Sequence, residues 1–156
     1  FAIRYPKGKC SSYNISATQN CIEIGKWEKL AKGTKVALLA TGSMVNTCIR
    51  IKDKVSQYLG AEITVVNSRF IKPIDKKMID NLIEDHEYFF TFEEGSLIGG
   101  FGSTVLQYIS EKNKSVKIFN KGIEDNFIEH GTRSELLKIA ELDDESLINY
   151  IKNNIQ

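Results

Sequence analysis

Lys35-Val36-Ala37-Leu38-Leu39-Ala40-Thr41-Gly42-Ser43-Met44-Val45-Asn46-Thr47-Cys48 is the stretch that decides the fold. Its first half is an unbroken apolar run of strand length, closed by Gly42-Ser43. From Met44 onward the period changes: Met44, Cys48, Ile51, Val55 and Tyr58/Leu59 recur every three or four residues, which stacks them on one face of a helix. Gly60 then stops that helix. An apolar strand feeding directly into an amphipathic helix is the start of a strand-helix-strand unit whose sheet is covered on both faces.

Working toward the C-terminus, Glu62–Asn67 reads as the next strand, and Pro73 opens a helix through Ile74, Met78, Ile79, Leu82 and Ile83. Tyr88-Phe89-Phe90-Thr91-Phe92 is an aromatic strand closed by Glu93-Glu94. A glycine-rich turn, Gly95 to Gly102, leads into a helix carrying Val105, Leu106 and Ile109. Val116–Asn120 is a further strand, and two short helices follow, around Leu136–Ala140 and from Asp144 to Ile155. Right-handed crossovers turn this order into an α/β fold, a three-layer αβα sandwich on a mostly parallel sheet.

Working toward the N-terminus, Phe1–Tyr5 reads as a strand in progress, and Pro6–Asn20 is a polar connection with little to bury. Residues 1–20 are therefore expected to be the tail of a preceding domain with its linker, and 21–156 the folded unit. With 156 residues, 42% of them apolar and 26% charged, one globular domain is the expectation. A net charge of +1 argues against nucleic acid or an anionic membrane as partner. The ends are nonetheless opposed: residues 1–35 hold seven bases and two acids, residues 122–156 three bases and eight acids. Such ends solvate two faces, pair within the domain or guide a partner.

Cys10, Cys21 and Cys48 have no zinc or redox spacing, and Cys48 falls on the apolar helix stripe as a small hydrophobe. A reducing cytoplasm is expected, as no membrane span or signal peptide is visible.

Candidate chemistry is sparse. Gly99-Gly100-Phe101-Gly102-Ser103-Thr104 precedes a helix, where free N–H groups favour an anion. It matches neither the dinucleotide nor the P-loop pattern, so close packing of the turn is the preferred reading. Glu93 and Glu94 alternate in direction on a strand and cannot act as a pair on one substrate; one of them at the mouth of the sheet, where parallel α/β proteins place ligands, is the alternative to the solvated strand end expected for them. His86, in Glu84-Asp85-His86-Glu87, is expected at the surface, while His130 precedes Gly131 in a loop open to a cleft or interface. Ser43 lacks a nucleophile elbow and is expected to cap the helix that follows it. Arg4 stands in an apolar strand, either facing water or holding a phosphate or carboxylate in its fork.

Taken together, Ile3–Gly8, Ile24-Gly25-Lys26, Leu39–Val45, Val66–Asp75, Glu93-Glu94, Gly99–Ser103 and Phe127–Gly131 resemble the C-terminal part of 1-deoxy-D-xylulose-5-phosphate synthases, thiamine diphosphate enzymes of the transketolase superfamily. Arg4-Tyr5-Pro6-Lys7-Gly8 and Asn67–Asp75 are the particular stretches, while Thr41-Gly42-Ser43 and Glu93-Glu94 are shared across the superfamily. The resemblance implies a five-stranded mixed sheet with one antiparallel edge, a homodimer, and residues 1–20 as the end of a pyrimidine-binding domain. It further implies that the full-length enzyme condenses pyruvate with D-glyceraldehyde 3-phosphate, using thiamine diphosphate and Mg2+. Those groups are held in such enzymes by a Gly-Asp-Gly to Asn-Asn segment that does not occur in these residues, so none is expected on this chain, which is expected to be inactive alone.

By the same resemblance Arg4 contacts the aldehyde's phosphate, and the Gly99–Ser103 turn and His130-Gly131 loop lie at domain or subunit contacts. The chain departs at Gly122-Ile123-Glu124-Asp125, which lacks the proline relatives carry, and at Trp27, expected to cover a local apolar patch. The alternative is an assembly domain of a transketolase, or of a 2-oxo acid dehydrogenase beta subunit, that docks a partner protein.

Overall fold

The computed structural model describes residues 2–3, 21–112 and 114–155. Five strands and five helices follow one another: β1 (Glu28–Ala31), β2 (Lys35–Ala40), α1 (Met44–Leu59), β3 (Thr64–Asn67), α2 (Lys76–Asp85), β4 (His86–Ser96), α3 (Phe101–Ser110), β5 (Lys117–Ile123), α4 (Arg133–Ile139) and α5 (Asp144–Asn154). The sheet order is β1-β3-β2-β4-β5, parallel throughout except for β1, which runs antiparallel to β3. Mixed sheet, antiparallel edge and three layers agree with the expected architecture.

Alternation along the strands builds the layers. Val36, Leu38 and Ala40 point to one face of β2 with Phe90 and Phe92 of β4, where α1 brings Met44, Cys48, Ile51 and Val55, and α5 brings Leu147, Ile148 and Ile151. Ala37, Leu39, Val66 and Phe89 point to the other face, against Ile79 and Leu82 of α2 and Phe101, Val105 and Ile109 of α3. Both faces of the central strands are dry, which is why β2 reads as a continuous apolar run rather than an alternating one.

Period and spacing did not reveal β1, whose Glu-Lys-Leu-Ala has no usable alternation. Tertiary contacts order it. Trp27, just ahead of it, is buried: its backbone N–H donates to Asp75 Oδ2 (3.0 Å), its indole N–H donates to the Phe70 carbonyl (2.8 Å), and its ring meets Phe101 edge-on at 5.6 Å. Asp75 also caps α2 by accepting from Met78 N–H (3.0 Å), and Gly25 packs on Pro73, which follows a cis peptide. Arg69 pairs with Glu28. The distinctive Asn67–Asp75 stretch is thus a clamp that fastens the antiparallel edge.

His86 departs from the surface position expected of it. It opens β4 at 5% exposure, with Nδ1–H donating to the Leu82 carbonyl (2.9 Å) and Nε2 against the Thr64 hydroxyl (2.7 Å). A polar sequence neighbourhood misleads here because the residue begins an interior strand, next to β2.

Candidate functional site

In an open parallel sheet the crevice beyond the strand ends lies where successive connections leave in opposite directions. Here β2 sits between β3 and β4, with α1 on one face and α2 and α3 on the other, so the crevice opens between the ends of β2 and β4. Thr41-Gly42-Ser43 borders it from β2 and Glu93-Glu94 from β4.

Glu93 is 4% exposed, so the solvated strand end expected for it is wrong. Its Oε2 accepts from Phe101 N–H and its Oε1 from Gly102 N–H, both at 2.9 Å, which places a carboxylate on the positive first turn of α3. The surrounding glycines make room for it. A Cβ on Gly100 would lie 2.6 Å from Glu93 Oε2 and 2.1 Å from the Ser96 carbonyl, and one on Gly102 would lie 2.5 Å from Thr91 Oγ1. Thr91 in turn donates to Asn120 Oδ1 at 2.8 Å, tying β4 to β5. The glycine-rich turn therefore serves close packing, and the amides a phosphate would use are already bonded to Glu93.

Glu94 points the other way and is only partly buried. The Ser43 hydroxyl donates to its Oε1 at 2.6 Å, and the Arg133 guanidinium grips both oxygens, with Nη1 3.0 Å from Oε2. Ser43 was expected to cap α1 by accepting an N–H; no such bond forms, and its hydroxyl is a donor across the crevice instead. Ser43, Glu94 and Arg133 close the mouth of the sheet and pull the start of α4 onto it. This is not a hydrolytic triad: no histidine orients the serine, and a carboxylate held in a guanidinium fork has its lone pairs engaged.

His130 is exposed in the loop ahead of α4, away from these bonds, and Arg133 is the residue of that region that reaches the crevice. Spacing alone did not mark Arg133, because its partner lies 39 residues earlier. Arg4, the expected phosphate ligand, lies outside the described residues. No group of three or more His, Cys, Asp or Glu among the described residues is placed to hold a metal ion. The α3 N-terminus, the position the sequence offered for an anion, already holds the Glu93 carboxylate. No helix among them is long and apolar enough to cross a membrane. Cys48 is buried, and burial pushes its thiol far above the usual range, which fits a packing role.

Comparison with known proteins brings these features together. The family model described as "Transketolase, C-terminal domain" matches residues 25–147. The 1-deoxy-D-xylulose-5-phosphate synthase of Clostridium tetani is 37% identical over 147 residues, 94% of this chain and 23% of that protein. The synthase of Clostridium perfringens is 40% identical over 148 residues, 95% of this chain and 24% of that protein. The chain thus spans about a quarter of the length of the curated relatives it matches. Among solved structures, one described as "Split gene transketolase, inactive beta4 tetramer" superposes with a TM-score of 0.78 at 26% identity, over 85% of this chain and 43% of that one. The transketolase of Campylobacter jejuni, 18% identical over 83% of this chain and 19% of its own, shares the fold with a TM-score of 0.56.

Proposed function

The chain belongs to the transketolase C-terminal domain family, and from that premise we propose that it serves as the C-terminal domain of a 1-deoxy-D-xylulose-5-phosphate synthase. The observation that carries this reading is similarity at 37% and 40% identity over nearly the whole chain to two such synthases. In the whole enzyme pyruvate and D-glyceraldehyde 3-phosphate condense to 1-deoxy-D-xylulose 5-phosphate and carbon dioxide, in the cytoplasm, in a homodimer. Thiamine diphosphate, bound with Mg2+ by other domains, supplies the carbanion chemistry.

The part of this chain is mechanical. Residues 1–20 end the preceding pyrimidine-binding domain and lead into the unit at 21–156. Glu93 fixes α3 on the sheet, and the Ser43–Glu94–Arg133 contact fixes α4. By itself the chain is expected to turn over nothing.

Arg4 is the one residue to which we assign a substrate contact: its fork holds the phosphate of the aldehyde. In the whole enzyme, Arg4→Ala is expected to raise the apparent KM for D-glyceraldehyde 3-phosphate by about tenfold to a hundredfold, the cost of about 1.5–3 kcal/mol for a charge-assisted bond. The KM for pyruvate stays within about twofold. Steady-state kinetics with each substrate varied in turn tests this, and an unchanged response to the aldehyde removes Arg4 from the site.

A further inference from the structure

The buried His86 ring has a different neighbour at each nitrogen. Nδ1 lies 2.9 Å from the Leu82 carbonyl, which can only accept, so Nδ1 carries a hydrogen whatever the charge of the ring. Nε2 lies 2.7 Å from Thr64 Oγ1. In the neutral ring Nε2 is therefore bare and takes the hydrogen of the Thr64 hydroxyl.

The same Thr64 oxygen meets Gly33, in the turn between β1 and β2, in two ways. Gly33 N–H donates to it at 3.0 Å, and the Gly33 carbonyl lies 3.1 Å from it. A hydroxyl has one hydrogen and two lone pairs. With His86 neutral, the hydrogen goes to Nε2, the shorter contact, and one lone pair is left over. With His86 charged by a proton from water, Nε2–H is a donor. The hydroxyl then accepts from Nε2–H and from Gly33 N–H and gives its own hydrogen to the Gly33 carbonyl, all at the distances already present. Gly33 is held where this exchange can occur: a Cβ there would lie 2.2 Å from the Glu62 carbonyl, so the turn is pressed against the chain entering β3.

The charged side chains on the elements around the ring are Lys29 of β1, Lys32 of the turn, Lys35 of β2, Glu62 ahead of β3, Asp85 of α2 and Glu87 of β4, all exposed. Lys29 opposes a charge on the ring and Asp85 favours it. The group that receives the second ring N–H is the neutral Thr64 hydroxyl and not a carboxylate.

We infer that His86, Thr64 and Gly33 form a proton-operated switch: protonation of the ring turns the Thr64 hydroxyl from Nε2 to the Gly33 carbonyl and so adds a hydrogen bond from β3 to the β1–β2 turn. Burial still opposes the charge, so acid weakens the domain as a whole while it tightens this turn.

The test is a titration of the isotope-labelled chain by NMR between about pH 8 and 5, a span that brackets the ordinary imidazole value. The ring nitrogens of His86 and the carbonyl carbon of Gly33 are followed, and His86→Gln separates the His86 signals from those of His130. At the alkaline end the ring is expected to carry its hydrogen on Nδ1, and the Gly33 carbonyl is expected to shift with the same midpoint as the ring. In Thr64→Val, which keeps the shape without the hydroxyl, the ring midpoint is expected to fall by about one pH unit or more, because Nε2–H has lost its acceptor. The Gly33 carbonyl then no longer follows the ring, and Thr64→Ser restores both effects. Three results on the unaltered chain overturn the inference: a hydrogen on Nε2 at the alkaline end, a ring that stays neutral throughout, or a Gly33 carbonyl that does not follow it. An unchanged midpoint in Thr64→Val overturns it as well.

Discussion

Glu93 and Glu94 are adjacent in the chain and do unlike work. The first is a dry helix cap, the second a wet strap between β2 and α4. Glu93→Gln retains the shape but turns a donor toward backbone N–H groups that need an acceptor. It is expected to cost about 1–3 kcal/mol. Glu94→Gln, in a partly exposed pair, is expected to cost less than about 1 kcal/mol. Urea unfolding of the two variants measures the contrast, and equal losses would contradict it. His86 gives a pH dependence with a definite sign. Burial holds its pKa below the usual imidazole value and nearby Lys29 adds to this, while the Leu82 carbonyl and Asp85 pull the other way. A histidine that resists protonation when folded contributes fully above its unfolded pKa, and that contribution is lost as pH falls from there toward the folded value. Stability of the chain is expected to fall as the pH drops below about 6.5, the unfolded imidazole value, and His86→Gln should flatten that slope. Thermal melts across this range check it; an unchanged slope in the variant would assign the effect to other groups.

Elements differ in how legible they were, for a physical reason in each case. The strand-to-helix change at Thr41–Met44 could be read because β2 is buried on both faces and α1 on one, so burial itself wrote the pattern. The helices α2, α3 and α5 also followed from their apolar spacing, with ends off by one to a few residues. By contrast β1 has four residues and is held from outside, by contacts that Trp27 and Glu28 make to residues more than forty positions away. Trp27→Ala is expected to cost about 3–5 kcal/mol through lost packing. Trp27→Phe, which keeps much of the ring contact but loses the bond to Phe70, is expected to cost about 1 kcal/mol. Chemical denaturation of both variants tests whether the edge is fastened chiefly by packing. The crevice was the least legible region. Its strap joins Ser43, Glu94 and Arg133 from three separate segments, and local spacing carries no record of such a meeting.

At the scale of the molecule, bases prevail in residues 1–35 and acids in residues 122–156, and part of the acidic half is paired within the domain, as Asp144 of α5 is with Arg50 of α1. The chain spans about a quarter of the length of the synthases it resembles. On the functional reading proposed above, activity is expected of the whole enzyme and not of this chain alone. The direct measurement is formation of 1-deoxy-D-xylulose 5-phosphate from pyruvate and D-glyceraldehyde 3-phosphate with thiamine diphosphate and Mg2+. It is made on this chain alone and on the Clostridium tetani synthase whose matched C-terminal region has been replaced by this chain. We predict no product from the chain alone and steady turnover from the hybrid. Product from the isolated chain, or a folded hybrid without turnover, would contradict the account.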